Sequence, residues 1–296
     1  FCLIYVSPSL HMADESVVNS CLNIMRRMPP ADIEKNLTGL INLVPDATDE
    51  VLQRVDQPLE TQTDPTTGQQ FILCDYNREG DSYRSPWSNK FYPPLEDDED
   101  VPFPSDKLRK LEVTANDLFD VYREMYYDGG VSSVYFWDLE GGAFASCWLV
   151  KHDVEAKSAA LKKGTWNSIN VVEVQESGKG SAVYKLTTTV MISMVVNAPE
   201  TGAVDLSGSL TRQARREMRV GADAHSHLAN MGGMIEAMET TLTRALDELY
   251  AGKTAEILSR TRTLRSGPAA TKEFVASLAD AVRANARRGS GAGAEE

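Results

Sequence analysis

Two motifs bring together residue types that could carry out hydrolysis or bind calcium. Gly80-Asp81-Ser82 matches the start of a GDS-type serine esterase site, where the serine requires a histidine base that a carboxylate orients. The candidate pair, Asp223 and His225, has the wrong spacing for that chemistry and opens a helical pattern. Asp75–Gly80 matches the first half of a calcium loop, but Pro86 occupies the twelfth position, where a bidentate glutamate is required. The sequence therefore argues against both activities and favours a structural turn at Asp75–Gly80.

Two further patterns, for phosphate and for metal binding, also fail on spacing. Gly252-Lys253-Thr254 ends like a phosphate-binding loop, but Asp247 replaces the first glycine and the segment continues a helical pattern. His225 and His227 would point in different directions on a helix, so we expect capping or surface positions for both. These motifs predict no catalytic residue, no metal site and no cofactor.

The chain is strongly acidic overall but basic near its C-terminus. A formal net charge of −13 argues against nucleic-acid binding, which depends on basic surface that neutralises phosphates. Between Lys253 and Arg288, however, eight basic residues outnumber three acidic ones, a net charge of +5. This segment predicts an anionic partner for the C-terminus.

The cysteines and the apolar runs bear on the cellular compartment. The cysteines are far apart and form no CxxC pair, as expected for free thiols in a reducing compartment. No apolar run reaches the roughly 20 residues needed to cross a bilayer. Residues 1–11 precede Met12 and lack a positively charged start, so we interpret them as an extension and not as a signal peptide. We expect a cytoplasmic protein. The four cysteines are Cys2, Cys21, Cys74 and Cys147.

The first part of the chain predicts short helices followed by a loop-rich segment. Three apolar stripes at helical spacing lie within residues 12–57 and end at prolines, which favours an antiparallel three-helix stalk. Residues 58–103 are rich in Pro, Asp, Gly and Tyr, and contain one predicted strand, Gln70–Cys74. A helix is predicted over residues 104–128, ended by Gly129–Gly130. Its predicted apolar face consists of Leu108, Leu111, Ala115, Leu118, Phe119, Tyr122 and Met125.

Residues 131–220 predict a five-stranded antiparallel sheet, and with the helices an α+β fold. Apolar and polar residues alternate along five segments that short connections separate, as in an antiparallel meander. In the fourth strand Tyr184 and Leu186 share one face, and Lys185 and Thr187 lie on the other. Such a sheet leaves two edges open, and one of them is a natural place for a second subunit. The predicted strands are Val131–Leu139, Ala143–Lys151, Thr165–Gln175, Ala182–Val196 and Ala203–Arg212.

One long helix is predicted over residues 223–265. Its apolar residues recur at alternating steps of three and four, which places them on one helix face. At 1.5 Å per residue this helix would reach about 60 Å and cover one face of the sheet. Glu236, Glu239 and Arg244 fall between the apolar positions and are assigned to the solvent-facing side. The apolar series is Leu228, Met231, Ile235, Met238, Leu242, Leu246 and Leu249.

A separate amphipathic helix is predicted over residues 270–288, after the break at Ser266-Gly267-Pro268. A helix of this length is marginal alone, so two interpretations fit: a mobile arm that docks onto a partner, or a terminal helix that packs back on the body. The tail, residues 289–296, is predicted to be disordered. The apolar side of the arm is formed by Phe274, Val275, Leu278 and Val282, bordered by Arg283, Arg287 and Arg288.

Several segments resemble the F-actin-capping protein β-subunit family, of the CapZ type. The resemblance covers residues 13 to about 254, and it departs at the first eleven residues, at the acidic run 97–100 and in the C-terminal arm. The matching runs are 25–30 (MRRMPP), 33–37 (IEKNL), 56–59 (DQPL), 73–90 (LCDYNREGDSYRSPWSNK), 108–112 (LRKLE), 129–135 (GGVSSVY) and 208–213 (GSLTRQ).

The resemblance implies a protein that is not an enzyme and acts on the cytoskeleton. Members of the family pair with a similarly folded α subunit; their sheets join, and their long helices cross above the joined sheet. The C-terminal arm, called the tentacle, helps to hold the barbed end of an actin filament and blocks subunit addition and loss without calcium. Leu278 and Val282 match apolar tentacle positions, whereas the arginines match only in character.

The charged loop Asp75–Lys90 matches the family unusually well, although its polar composition is not that of a buried core segment. Two interpretations remain: a stalk surface on which CARMIL-type regulators dock, or an internally hydrogen-bonded loop that holds helices to the sheet. A further hypothesis makes the basic arm a membrane-surface or phosphoinositide-binding module. The residues assigned to the docking surface are Asp75, Asn77, Arg78, Asp81, Tyr83, Arg84, Trp87 and Lys90.

Overall fold

The computed structural model describes residues 15–95, 103–155, 161–178, 180–198, 202–221, 223, 225–265 and 276. Within these residues the predicted α+β fold with a five-stranded antiparallel sheet is confirmed. The chain divides into one unit that ends at Leu242 and a second that begins at Thr243. Outside the described residues lie the leading segment 1–11 and the tentacle positions Phe274, Val275, Leu278, Val282, Arg283, Arg287 and Arg288.

Three short helices form the N-terminal bundle, as the proline spacing predicted. They are α1 (Glu15–Met25), α2 (Ile33–Leu43) and α3 (Thr48–Arg54). Single 3₁₀ turns that begin at Pro30 and Pro45 join them, because proline fixes the backbone angle that starts such a turn and has no N–H to continue a preceding helix. The bundle has its own core, formed by Val18, Cys21, Leu22, Met25, Leu37, Leu40, Ala47 and Val51.

The loop-rich segment contains more strands than the sequence predicted. A hairpin pairs β1 (Glu60–Thr63) with β2 (Gln70–Leu73). A small three-stranded sheet follows, made of β3 (Arg78–Glu79), β4 (Ser82–Arg84) and β5 (Phe91–Tyr92). The prediction of one strand was therefore incomplete, because strands of two to four residues are too short to show an alternating pattern.

The large sheet is a meander with the strand order β10-β9-β8-β7-β6. Its strands are β6 (Val131–Asp138), β7 (Phe144–Glu155), β8 (Leu161–Glu176), β9 (Ser181–Ala198) and β10 (Gly202–Arg219). The last four strands are longer than predicted. His152 pairs with Trp166 and Asp153 with Thr165, so polar residues assigned to a loop extend the β7–β8 hairpin.

Two helices cover one face of this sheet. They are α4 (Asp106–Tyr127) and the first part of α5 (His225–Asp247). Burial of their apolar side chains against the strands supplies most of the driving force for this packing. The shared core contains Leu108, Leu111, Ala115 and Phe119 from α4, Leu228, Met231, Met234 and Ile235 from α5, and Val134, Phe136, Phe144, Trp148, Val150, Val172, Val174, Ala182, Tyr184 and Leu186 from the sheet.

The opposite face of the sheet is covered as well. Thr187 and Thr189, expected on a polar face, are 7% and 4% exposed. A second core lies on this side, and the 3₁₀ turn Pro30–Asp32 of the N-terminal bundle contacts β9 and β10. Polar side chains on this face can be buried because they hydrogen-bond to one another: Thr189 Oγ1 lies 3.0 Å from Thr211 Oγ1. The second core consists of Leu59, Ile72, Tyr135, Cys147, Leu149 and Val171.

The apolar face predicted for α4 was partly wrong. Leu118 and Met125 are 56% and 75% exposed, whereas Glu112 and Asn116 are buried at 0% and 2%. The reason is the position of α4 beside β6, an edge strand whose outward backbone groups need partners. Asn116 donates to the Val134 carbonyl and accepts from the Val134 amide, both at 2.8 Å.

The two edges of the sheet therefore differ. On β6 the side chain of Asn116 hydrogen-bonds both the amide and the carbonyl of Val134, and Glu112 Oε2 accepts from the Phe136 amide at 2.8 Å. Among the described residues β10 pairs with β9 on one side and with no strand on the other. The structure thus leaves β10, and not β6, as the edge that can accept another strand.

The assignment of Glu239 to the solvent-facing side of α5 was wrong. Glu239 is 5% exposed and accepts hydrogen bonds from Tyr122 Oη at 2.6 Å and Ser168 Oγ at 2.9 Å. Burial and the Glu239 carboxylate together raise the pKa of Tyr122 well above its ordinary value, so the phenol remains a donor. Glu239 thereby ties α5 to α4 and to the centre of the sheet.

The second unit contains the end of α5, a π-helical turn at Glu248–Lys253 and α6 (Thr254–Arg265). The single long α-helix predicted from the sequence is therefore two α-helices joined by this turn. Gly252 lies within it, and glycine, with the weakest helix propensity after proline, tolerates such local rewinding. In α6 the Arg260 guanidinium forms an exposed ion pair with Glu256 at 2.9 Å.

Candidate functional site

One buried carboxylate, Asp64, holds the loop Asp75–Lys90 in place. Asp64 Oδ1 accepts from the Thr66 amide at 2.7 Å and from Tyr92 Oη at 2.9 Å. Asp64 Oδ2 accepts from Ser85 Oγ at 2.6 Å and from the Ser88 amide at 3.2 Å. Burial alone would raise the pKa of Asp64, but these hydrogen bonds outweigh it and hold the pKa well below its ordinary value. Asp64 is therefore a charged anchor that joins the β1–β2 turn to the loop.

A second anchor is the buried ion pair between Arg84 and Glu112. Two parallel hydrogen bonds of 2.7 and 2.8 Å join the Arg84 guanidinium to both carboxylate oxygens, and both side chains are buried. Arg109, one helical turn before Glu112, also donates to this carboxylate. A bidentate pair of this kind fixes orientation as well as distance. It attaches β4 to α4, and through the Phe136 amide to the edge of the sheet.

Other side chains of the loop also point inward. Asn77 Oδ1 accepts from the Cys74 amide at 2.9 Å, and Asn77 Nδ2 donates to the Arg84 carbonyl at 2.9 Å. The indole N–H of Trp87 donates to the Gln70 carbonyl at 2.9 Å. Asn77 and Arg84 are each 3% exposed. These two predicted docking residues act inside the loop, as the internally bonded interpretation described, and Trp87 is half-buried.

The rest of the predicted docking surface faces outward. Asp75, Arg78, Asp81 and Lys90 are exposed and Tyr83 is half-buried. Arg78 lies 5.8 Å above the Tyr83 ring and 3.8 Å from Asp81, and its Nε donates to the Gly80 carbonyl at 2.7 Å.

A polar cleft of about 260 Å³ lies beside the exposed half of the loop. Asp75, Arg78 and Tyr83 were predicted in this region from the sequence, but the residues opposite them were not. Residues 56–59 match the family, yet nothing in the sequence placed them beside the loop; the pairing of Glu60 with Leu73 brings residues 54–60 next to it. The lining residues are Arg54, Val55, Asp56, Gln57, Pro58, Leu59, Glu60, Leu73, Cys74, Asp75, Tyr76, Arg78, Tyr83, Leu149 and Ile169.

The Gly80-Asp81-Ser82 motif lies in a tight hairpin. Ser82 is buried and lies in the β3–β4 hairpin, paired with Glu79. Gly80 adopts a φ of +58°, as the predicted structural turn requires. The exposed loop and the cleft present both signs of charge next to the Tyr83 ring.

The two histidines near the start of α5 have different environments. His225 is exposed, and its Nδ1 lies 2.6 Å from Asp223 Oδ1, which also accepts from the His225 amide at 3.0 Å. His227 is 2% exposed, with Nδ1 2.8 Å from Tyr184 Oη and Nε2 3.4 Å from Glu176. The expected cap or surface position is correct for His225 and wrong for His227, which packs into the core.

The environment of His227 predicts a dependence of stability on pH. Burial lowers the pKa of His227, with Glu176 opposing the shift only in part. A group whose folded pKa lies below its unfolded value loses stability on protonation, so the free energy of unfolding should fall as pH drops below about 6.5, by at most about 1.4 kcal/mol per pH unit. Urea denaturation between pH 7.5 and 5.5 should give a flatter profile for His227→Gln than for wild type. His225→Gln is the matched control; equal slopes in all three proteins would contradict the assignment.

Metal-binding clusters and membrane-spanning helices are both absent from the described residues. No group of three or more His, Cys, Asp or Glu side chains is arranged to hold a metal ion in this part of the chain. No helix among the described residues is long and apolar enough to cross a membrane.

Comparison with known proteins identifies the family. The family model described as F-actin capping protein, beta subunit, matches residues 18–258. The chain belongs to this family. An F-actin-capping protein subunit beta of Drosophila melanogaster is 49% identical over 253 residues, which cover 85% of this chain and 89% of the relative. Its counterpart in Dictyostelium discoideum is 46% identical over 248 residues, covering 84% and 90%. The family resemblance noted in the sequence is confirmed.

A solved structure shares the fold of this chain. It is the homodimeric actin capping protein alpha subunit from Plasmodium berghei, with a TM-score of 0.50, 16% identity, and coverage of 83% of this chain and 97% of that one. At this identity the likeness shows the fold alone. This chain therefore shares its overall fold with that α subunit.

Proposed function

We propose that this chain is the β subunit of a heterodimeric actin capping protein, which binds filament barbed ends without calcium and blocks subunit addition and loss. Family membership carries the proposal, together with the edge strand β10, which pairs with β9 on one side and with no strand of the described residues on the other. The role is non-enzymatic and belongs to the cytoplasm and its cytoskeleton.

Two features of the first unit support assembly with an α subunit. The edge strand β10 can receive a strand of the partner and so continue the sheet. An apolar cleft of about 290 Å³ between α4 and α5, lined in part by Leu118, Tyr122, Trp148 and Leu228, can receive apolar side chains of a partner helix. Next to it Leu118, Val121 and Met125 are more than half exposed on α4. A monomer rarely leaves such a face uncovered.

We assign regulation to the exposed half of the loop and its cleft. Asp75, Arg78, Asp81, Tyr83 and Lys90 can contact a polypeptide regulator of the CARMIL type. Asn77, Arg84 and Trp87 shape the surface from inside. Phosphoinositides are assigned to the basic C-terminal arm, whose charge suits anionic headgroups.

The proposal is tested by coexpressing the chain with a capping-protein α subunit and measuring elongation of actin from seeds. Barbed-end growth should stop when the complex is added, in the presence of a calcium chelator as in its absence. Elongation that continues at the rate of the untreated seeds would contradict the proposed function.

A variant of the arm tests the proposed actin contact. Changing Leu278 and Val282 to Asp should weaken capping by a factor of at least about ten, because each buried aliphatic side chain contributes about 1.5–3 kcal/mol. The matched control changes Ala276 and Ala284 to Asp, which helical spacing places away from the apolar side. Capping affinity is measured from the concentration that halves barbed-end growth. Equal affinities for the two double variants would exclude the apolar side from the contact.

A further inference from the structure

Four arginines lie within the last eight residues of β10, the open edge of the sheet. All four are exposed, and none forms an ion pair with another residue of the described chain. Arg212 donates to the carbonyl of its neighbour Thr211 at 3.0 Å, a contact that leaves its charge uncompensated. Glu217, the carboxylate within this stretch, accepts from Ser181 Oγ at 2.9 Å. The residues are Arg212, Arg215, Arg216 and Arg219.

The charges along one cross-strand row show what Arg215 lacks. Glu173 on β8 pairs in register with Lys185 on β9, and Lys185 pairs with Arg215 on β10. Lys185 Nζ already lies 3.0 Å from the Glu173 carboxylate. Arg215 is therefore next to a like charge, which is unfavourable in a sheet, and the position on its outer side is empty among the described residues. A carboxylate on an added strand would complete the row.

The arginines are distributed over both faces of the sheet. Arg212 and Arg216 fall on the side of Ala214 and Met218, which pack against the helix-covered core. Arg215 and Arg219 point to the other side, because successive side chains alternate along a strand. A flat anionic surface, such as a membrane, could contact one pair but not both. A strand added beside β10 presents side chains on both faces and can meet all four.

We propose that the arginine run of β10 recognises a strand of the partner subunit that carries carboxylates on both of its faces. The inference rests on the proposed function and deepens it, because it names the chemistry that selects the partner at the shared sheet. Backbone hydrogen bonds of an added strand are nearly independent of sequence, so the charges supply the selectivity. They also accelerate encounter between the subunits.

Two double variants separate the faces: Arg212→Glu with Arg216→Glu, and Arg215→Glu with Arg219→Glu. Each is coexpressed with a tagged capping-protein α subunit, and recovery of the one-to-one complex is measured at increasing sodium chloride. Each should lower recovery by at least about fivefold relative to wild type, since each face loses two attractive pairs and gains repulsion. The matched control, Lys35→Glu with Lys110→Glu, makes the same charge change at exposed positions on α2 and α4 and should leave recovery unchanged.

The outcomes distinguish this inference from its alternatives. Crosslinking identifies the α-subunit strand that lies next to β10. Changing the acidic residues of that strand to Arg should restore recovery of the complex with the double variants. This result would support the inference and would also show that the variants fold. Recovery equal to the control for both double variants would overturn it. The inference would also be overturned if only one of the two double variants lowered recovery of the complex. The same holds if the variants lost binding to phosphoinositide-containing vesicles while the complex was recovered normally. A wild-type complex that forms but does not cap actin would contradict the proposed function and leave this inference standing.

Discussion

Replacing Glu112 with alanine should lower the free energy of unfolding by about 3–5 kcal/mol, the range observed when one partner of a buried ion pair is removed. Arg84 would remain buried without its carboxylate, and Arg109 would lose the same partner. The Phe136 amide would also lose its acceptor at the edge of the sheet. Denaturant titration of the purified complex, followed by tryptophan fluorescence, measures the change.

Two further variants show whether the charge or the shape of Glu112 matters. Glu112→Gln keeps an acceptor for the Phe136 amide but removes the charge. Its free energy of unfolding should therefore lie between those of wild type and Glu112→Ala. Glu124→Ala is the matched control on the same helix, where Glu124 forms an exposed ion pair with Arg123; it should cost about 0–1 kcal/mol. Similar losses for Glu112→Ala and Glu124→Ala would show that the buried cluster does not anchor the loop.

Asp64→Ala should cost about 3 kcal/mol, because four donors converge on this carboxylate, and without it Ser85 would lose its acceptor in a buried position and Ser88 and Tyr92 in half-buried ones. The donors are the amides of Thr66 and Ser88 and the hydroxyls of Ser85 and Tyr92. Hydrogen exchange should show faster opening of residues 85–92 in the variant than in wild type. The control is Asp81→Ala in the same loop, where the side chain is fully exposed and its 3.8 Å contact with Arg78 contributes little.

The depressed pKa of Asp64 also fixes the sign of its pH dependence. A carboxyl whose folded pKa lies below its unfolded value stabilises the fold at pH values above the unfolded pKa, about 3.9. The difference in unfolding free energy between wild type and Asp64→Asn should therefore be constant from pH 8 to about 5 and shrink as pH falls below about 4. A difference that grows towards low pH would contradict a charged Asp64 in the folded protein.

The large sheet could be predicted from sequence because its strands are long and their apolar residues recur with a period of two. Tyr184 and Leu186 were correctly predicted to share one face, which in the structure is the face that the helices cover. The covering of the opposite face was not predictable, since Thr187 and Thr189 have the polar character of a solvated surface. Their burial depends on the N-terminal bundle, a contact between segments far apart in the chain.

The buried polar residues of the helices escaped prediction for one common reason. Glu112, Asn116 and Glu239 are of residue types that usually face solvent, and their type alone argued against burial. Each is buried because a partner from another element satisfies it: Arg84, the backbone of Val134, or Tyr122. A sequence signal nevertheless existed for all three: helical spacing places Glu112 and Asn116 among the apolar positions of α4, and Glu239 four residues after Ile235 in the apolar series of α5.

The loop Asp75–Lys90 shows where sequence similarity stops being informative about role. Its match to the capping-protein family identified the segment, but could not separate residues that hold it together from residues that face outward. Asn77 and Arg84 differ from Arg78 and Asp81 only in which hydrogen bonds the fold gives them. That distinction required the positions of Asp64 and Glu112, which lie outside the loop.

The contrast between the two margins of the main sheet also limits how many copies can assemble. With Asn116 and Glu112 occupying the backbone of β6, strands can be added only beyond β10. In the heterodimer that we propose, the partner covers β10 and this chain's own side chains occupy β6, so this subunit offers no edge on which stacking into fibrils could start. A protein that ends the growth of one polymer is thus built so that it does not begin another.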